Sequence, residues 1–202
     1  LNQLDSLKVI DSNTAAVFIE PIQAEKGYIP SNQEFLQALR LKCDQTGTLL
    51  IFDEIQSGIG RTGKLFAFEH YGIIPDVLLT AKALGGGMPI GAFISSKEIM
   101  SSLTDNPILG HITTFGGHPV SCAAGNAALK WLTKSKLMDE VAEKEALFRK
   151  LLVHPKIKAI NGKGLMLAVQ LESFEEVERT MKRCLERGVI IDWFLYNLEC
   201  LR

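Results

Sequence analysis

Residues 48–54 read TLLIFDE, a run with no alternation of apolar and polar residues, closed by two acids. A strand of this kind is buried on both faces, as in parallel sheets. The same form recurs on either side of it. TAAVFIE (14–20) ends in an acid and is followed by a proline, DVLLT (76–80) is short and apolar, and PIGAFIS (89–95) supplies a fourth strand. Helical stretches lie between them. Ser31 and Glu34 form an S-x-x-E capping box ahead of a helix that carries Phe35, Leu36 and Leu39 and stops near Gly47. Ser95 and Glu98 cap a shorter helix in the same way. Strands buried on both faces and separated by helices predict an α/β layer structure.

Further along, the character changes. An alanine-rich run spans Pro119 to Leu132, with the proline at the first turn of a helix, and a polar break (133–136) follows. A second helical pattern runs from Leu137 to Leu152 and ends before His154-Pro155. KIKAI (156–160) and LMLAVQL (165–171) then flank an NGKG turn. A helix with Val177, Met181 and Leu185 is ended by Gly188, and VII (189–191) leads to a closing ECLR. This is an α+β pattern. The boundary is placed within Lys130–Lys136, giving residues 1–132 and 133–202 as two units.

Composition narrows the function classes. At 202 residues and 47% apolar content the chain can bury a proper core. Its 22 Lys+Arg against 23 Asp+Glu give no electrostatic reason to expect nucleic acid or an anionic membrane as a partner. Cys43, Cys122, Cys184 and Cys200 lie far apart with no CxxC pair, so they read as reduced, mostly buried thiols of a cytosolic protein. His70, His118 and His154 show no metal-ligand spacing. No apolar run approaches the roughly 20 residues needed to cross a bilayer. There is no signal-peptide pattern at the start, and a chain opening on Leu1 reads as cut from something longer.

In open α/β sheets, polar chemistry collects beyond the carboxyl ends of the strands. Three strands here end in candidate groups: Glu20, Asp53 with Gln56, and Lys82 two residues past Thr80. An acid and a lysine at one sheet edge are the pair that pyridoxal phosphate (PLP) requires. The amine condenses with the cofactor's aldehyde, and the carboxylate keeps the pyridine nitrogen protonated so that the ring accepts electrons. A free lysine is protonated at neutral pH, so Lys82 is expected to be buried among the apolar and glycine-rich residues AKALGGGMPIGA (81–92). The GGG at 85–87 reads as a site of close packing, because neither a GxGxxG nor a P-loop accompanies it. Taken singly, a lysine after a strand is ordinarily a solvated surface residue.

Ordered blocks change that weighting. EPIQAEKG (20–27), DEIQSGIGRTG (53–63), PDVLLTAKALGGGMPIGA (75–92) and HITTFGGHP (111–119) resemble, in order and spacing, the signature blocks of class III PLP-dependent aminotransferases of the ornithine/acetylornithine kind. The resemblance covers essentially the whole chain. It implies part of a fold-type I large domain over 1–132, followed by the start of a smaller C-terminal domain. It implies amino transfer through a Schiff base on Lys82 from ornithine, acetylornithine or a similar ω-amino compound to 2-oxoglutarate. A 4-aminobutyrate or other ω-amino acid aminotransferase is the alternative.

The resemblance also distributes roles. Asp53 matches the residue that holds the pyridinium nitrogen, and Gln56 the one that hydrogen-bonds the ring hydroxyl. Thr114 matches the residue that reaches the phosphate of the neighbouring subunit's cofactor, which implies a homodimer with a shared site. Arg202 matches the arginine that clamps the substrate α-carboxylate, a bidentate task suited to guanidinium. Glu25 matches an acid that pairs with this arginine while another substrate end is bound. Two positions depart from the pattern: His118 stands where the family usually has Asn, and Ala24 where it has Gly. The family's glycine-Ser/Thr phosphate loop and ring-stacking aromatic find no match here. A contrasting reading follows, in which this fragment is inactive alone and serves only as a folded scaffold.

Overall fold

The computed structural model describes residues 1–106, 108 and 110–202. Strands β1 (Ala16–Ile19), a two-stranded hairpin of β2 (Ile22–Gln23) and β3 (Ile29–Pro30), and helix α1 (Gln33–Thr46) come first. They are followed by β4 (Leu49–Asp53), β5 (Val77–Thr80), β6 (Ala92–Ser95), α2 (Lys97–Ser101) and α3 (Pro119–Lys134). The last third holds α4 (Val141–Leu151), the hairpin β7 (Ala159–Lys163) and β8 (Met166–Gln170), α5 (Phe174–Glu186) and β9 (Cys200–Leu201).

The first sheet has the order β1-β4-β5-β6, and all four strands read from the sequence are in it. Neighbours β1, β4 and β5 are parallel, whereas β6 returns antiparallel, Thr80 facing Ala92. The connection from Thr80 to Ala92 is too short for the crossover of a dozen or more residues that a parallel return needs. Burial on both faces holds for the central strands only. Leu50, Ile51 and Phe52 are buried, but Phe18 on β1 is 68% exposed and Ile94 on β6 is 51% exposed. One face is closed by α1, where Phe35, Leu36, Leu39 and Cys43 meet Leu50, Phe52 and Leu78. Gly47 ends α1 in the left-handed conformation, φ +72°, as its place in the sequence predicts.

Neither expected capping box forms; each helix has a simple N-cap one residue later. Asn32 caps α1, its side-chain oxygen accepting from Phe35 N at 2.7 Å. Ser31 is committed to the β2–β3 hairpin, where its N–H donates to Pro21 O at 2.9 Å. Likewise Ser96 caps α2, because Ser95 belongs to β6 and its hydroxyl donates to Asp76 O at 2.7 Å. Ser173 caps α5, its hydroxyl accepting from Glu176 N. Pro119 opens α3 as expected. Helix α4 begins four residues later than the pattern suggested, since 137–140 form turns.

In the second sheet, β7-β8-β9, all pairs are antiparallel. Asn161, Gly162 and Lys163 lie within β7, so the chain reverses at Gly164-Leu165 and not over NGKG. That reversal packs on the first sheet's loops. Leu165 N donates to Arg61 O at 3.0 Å, and a Cβ on Gly164 would stand 2.6 Å from Thr62 Cα. Met166 joins Ile22, Ala24 and Ala67 in a small buried cluster. The thiols divide: Cys43 and Cys200 are buried, Cys184 half-buried and Cys122 exposed. Among the described residues, no helix is long and apolar enough to cross a membrane.

Candidate active site

Parallel register places the chemistry. Ile19 faces Phe52, so Glu20 and Asp53 leave their strands side by side, and Asp53 faces Leu79 just before the chain reaches Lys82. The three groups named from the strand ends share one sheet edge. Asp53 is held by its own loop, Oδ1 accepting from Ile55 N at 3.0 Å. Burial pushes the Glu20 carboxyl above the usual carboxylate range; the Ala24 N–H opposes this and repulsion from Asp53 and Glu25 adds to it.

Lys82 opens a 3-10 turn (Lys82–Gly85) with φ +45°, a left-handed conformation that costs a non-glycine residue about 1–3 kcal/mol and recurs at functional sites. Tyr28, at φ +51°, shares it. Both line a cavity of about 290 Å³ with Gln56, Arg61 and Arg202, closed from the second sheet by Leu165, Met166 and Leu167. Lys82 is exposed in this chain, which corrects the expectation of a buried lysine. Of the three glycines beside it, Gly85 and Gly86 are closely packed, as read, whereas Gly87 faces open space. A Cβ on Gly86 would stand 2.8 Å from Ala128 Cβ on α3.

Glu25, in the loop between β2 and β3, organises the cavity's far side. Its Oε1 accepts from Gln56 Nε2 at 3.0 Å and from Arg202 Nη1 at 2.7 Å, while Oε2 accepts from Leu195 N at 3.2 Å. Burial would raise the Glu25 carboxyl, but the Gln56 and Arg202 hydrogen bonds outweigh it and hold it below the usual range. Arg202 behaves in the mirror sense: burial lowers it, and Glu25 and Asp192 more than restore it. Its guanidinium lies 5.3 Å from the centroid of the fully buried Phe194 ring, which meets Tyr28 edge-on at 4.7 Å. Arg202 is thus held by two carboxylates and the face of a ring.

Of the six residues to which the resemblance assigns roles, five gather here. Lys82, Gln56 and Arg202 line one cavity, Glu25 bonds two of them, and Asp53 stands at the strand end beside Glu20. Thr114 does not join them; it is exposed in a turn ahead of α3. Sequence reasoning gave no role to Tyr28, Arg61 or Asp192, although Arg61 stands inside the DEIQSGIGRTG block. It also passed over Glu54, which is fully buried and accepts from Ser57 Oγ at 3.0 Å, Ala67 N at 2.6 Å and Phe68 N at 2.7 Å. The apolar cost of that position pushes its carboxyl up against those three bonds.

The parallel strands β1, β4 and β5 end at one edge with Glu20, Asp53 and, two residues past Thr80, Lys82, and Lys82 lines a cavity with Gln56 and Arg202. Residues 1–197 match the aminotransferase class-III family, and the chain belongs to that family. Among curated relatives, acetylornithine aminotransferase of Methanocaldococcus jannaschii is 44% identical over 197 residues, 95% of this chain and 48% of the relative. The [LysW]-aminoadipate semialdehyde/glutamate semialdehyde transaminase of Sulfolobus acidocaldarius is 40% identical over 194 residues, 94% of this chain and 49% of the relative. The ornithine aminotransferase of Toxoplasma gondii superposes with a TM-score of 0.88 at 35% identity, over 98% of this chain and 47% of that one. The chain spans about half the length of the relatives it matches. Its α/β fold is that of part of the fold-type I aminotransferases.

Proposed function

We propose that the protein carrying this chain transfers an amino group from ornithine, acetylornithine or a similar ω-amino compound to 2-oxoglutarate, with PLP as cofactor. The observation that carries this reading is the cavity uniting Lys82, Gln56 and Arg202 beyond the carboxyl ends of the parallel strands. When bound, PLP supplies an aldehyde that captures amines and a ring that draws electrons from the adjoining carbon. The donor set fits that group: a primary amine opening on the cavity, a carboxylate at the end of β4 and an amide on the loop after it.

Lys82 would hold the cofactor by its amine, and the same amine would carry the proton that leaves the substrate's amine-bearing carbon. Asp53, with Oδ1 accepting from Ile55 N, would hold the pyridine nitrogen and its proton. Gln56 commits one Nε2 hydrogen to Glu25, which leaves its other N–H and its amide oxygen for the ring hydroxyl. Arg202 receives the substrate carboxylate, and Glu25 occupies the guanidinium when that carboxylate is absent. The large cofactor domain would end near residue 132, within the last turn of α3.

Thr114 completes the site of a second subunit in this reading, which makes the protein a homodimer. Its exposed turn supports this, as do the exposed apolar side chains of Ile112, Phe115 and Val120 around it. A cytoplasmic location belongs to the same reading, supported by four free cysteines. The relatives' names include acetylornithine and putrescine aminotransferases, which supports a donor whose amine ends a carbon chain. The test is turnover by full-length protein of ornithine, acetylornithine and 4-aminobutyrate with 2-oxoglutarate. Transfer from one of the first two, lost in Lys82→Ala, is expected. Preference for 4-aminobutyrate would replace the donor, and no transfer from any of them would overturn the reading.

A further inference from the structure

Arg202 is gripped by two carboxylates, and only Glu25 has a part in the reading so far. We propose that Asp192 is a second, specificity-determining acid: it competes with an anionic substrate group for Arg202 and so sets how tightly the site takes one. This rests on Arg202 being the substrate-carboxylate receptor.

Backbone pairing fixes Asp192 in place. Its N–H donates to Arg202 O at 3.1 Å and the Arg202 N–H donates back to Asp192 O at 2.8 Å, so the two residues face each other as a hydrogen-bonded antiparallel pair. The side chains meet across it, Arg202 Nη2 donating to Asp192 Oδ2 at 3.1 Å while Nη1 donates to Glu25 Oε1 at 2.7 Å. Each arm of the guanidinium already has an acid. A substrate carboxylate arriving at this guanidinium meets an acid on each terminal nitrogen and competes with both for its charge.

The two acids are not equivalent. Glu25 is 23% exposed at its side chain and is also tied to Gln56 and Leu195 N. Asp192 is 52% exposed, and its Oδ1 is already held by Trp193 N at 2.9 Å. Asp192 can release Arg202 into water and keep a hydrogen bond, so it is the arm that opens first. Together the three groups carry one net negative charge, which opposes the arrival of an anion.

The test uses full-length holoenzyme and glutarate, a dicarboxylate without a reacting oxo group. Asp192→Asn keeps the shape and the Trp193 bond and removes the charge. Titration calorimetry should show glutarate bound about two- to fivefold more tightly by Asp192→Asn, a gain that shrinks in high salt. Asp192→Glu should return the affinity toward the wild-type value, and the KM for 2-oxoglutarate should fall more than kcat changes in Asp192→Asn. Unchanged or weaker glutarate binding in Asp192→Asn, in an active enzyme, overturns this inference alone. A tightening that persists in a protein with no PLP on Lys82 would sink the proposed activity and leave the role of Asp192 standing.

Discussion

Gly125 of α3 lies against the carbonyl of Leu84, two residues beyond Lys82: a Cβ at 125 would stand 2.7 Å from that oxygen. The contact is reciprocal, because Gly86 leaves no room for a Cβ either, 2.9 Å from Ala124 O at φ +58°. The lysine turn and the helix approach as closely as backbone allows, so the helix sets where Lys82 stands. Gly125→Ala forces the turn outward, at an expected cost of about 1–3 kcal/mol for overpacking. Urea unfolding measures that cost, and cofactor retention should fall with it.

Glu54 is the polar anchor of the loop that follows β4. Replacing it by alanine strands the buried Ala67 N–H, the half-buried Phe68 N–H and the Ser57 hydroxyl, and the expected loss is about 2–4 kcal/mol. A loss below about 0.5 kcal/mol in denaturant unfolding would mean that water replaces the carboxylate easily.

A histidine gives the stability a pH dependence of known sign. His70 Nε2 stands 3.1 Å from both the carbonyl and the hydroxyl oxygen of Thr62, and since a carbonyl only accepts, Nε2 carries the proton. Burial lowers the folded value below the ordinary 6.5, and nearby Lys163 lowers it further, against the Thr62 carbonyl. Its contribution is therefore present above pH 6.5 and is lost as pH falls through the lowered folded value. Unfolding midpoints stepped down from pH 7 should decline, and more shallowly in His70→Gln. Parallel slopes in the two proteins would exclude His70 as the source.

Oligomeric state is open to a direct check. Thr114→Arg places a long charge in the exposed turn that the dimer reading puts at the partner's phosphate. Light scattering should give a dimer for the wild type and a weakened one for the variant. A wild-type monomer that keeps tight cofactor would remove Thr114 from its proposed role.

Much of this was legible because the central strands are continuous apolar runs and the groups that matter follow them directly. Asp53 and Lys82 could be placed at one edge before any coordinates. The helix caps fall one residue later than the pattern indicates because Ser31 N is bonded to Pro21 O beside the β2–β3 hairpin and Ser95 belongs to β6, a tertiary demand that local pattern does not record. The β7 strand extends through NGK because its partner β8 continues that far, which again depends on pairing. Arg202 and Glu25 meet across 177 residues of chain, and Asp192 reaches them through a strand-like pairing with no sequence signature. The exposure of Lys82 depends on what surrounds the turn in space, which glycine and apolar neighbours in sequence do not determine.

The most direct test of the central claim is borohydride reduction of the purified full-length holoenzyme, followed by peptide mass analysis. The account predicts one pyridoxyl group per chain, on Lys82, and none in Lys82→Ala. A stoichiometric adduct on another lysine, or a holoenzyme from which borohydride fixes nothing, would contradict it.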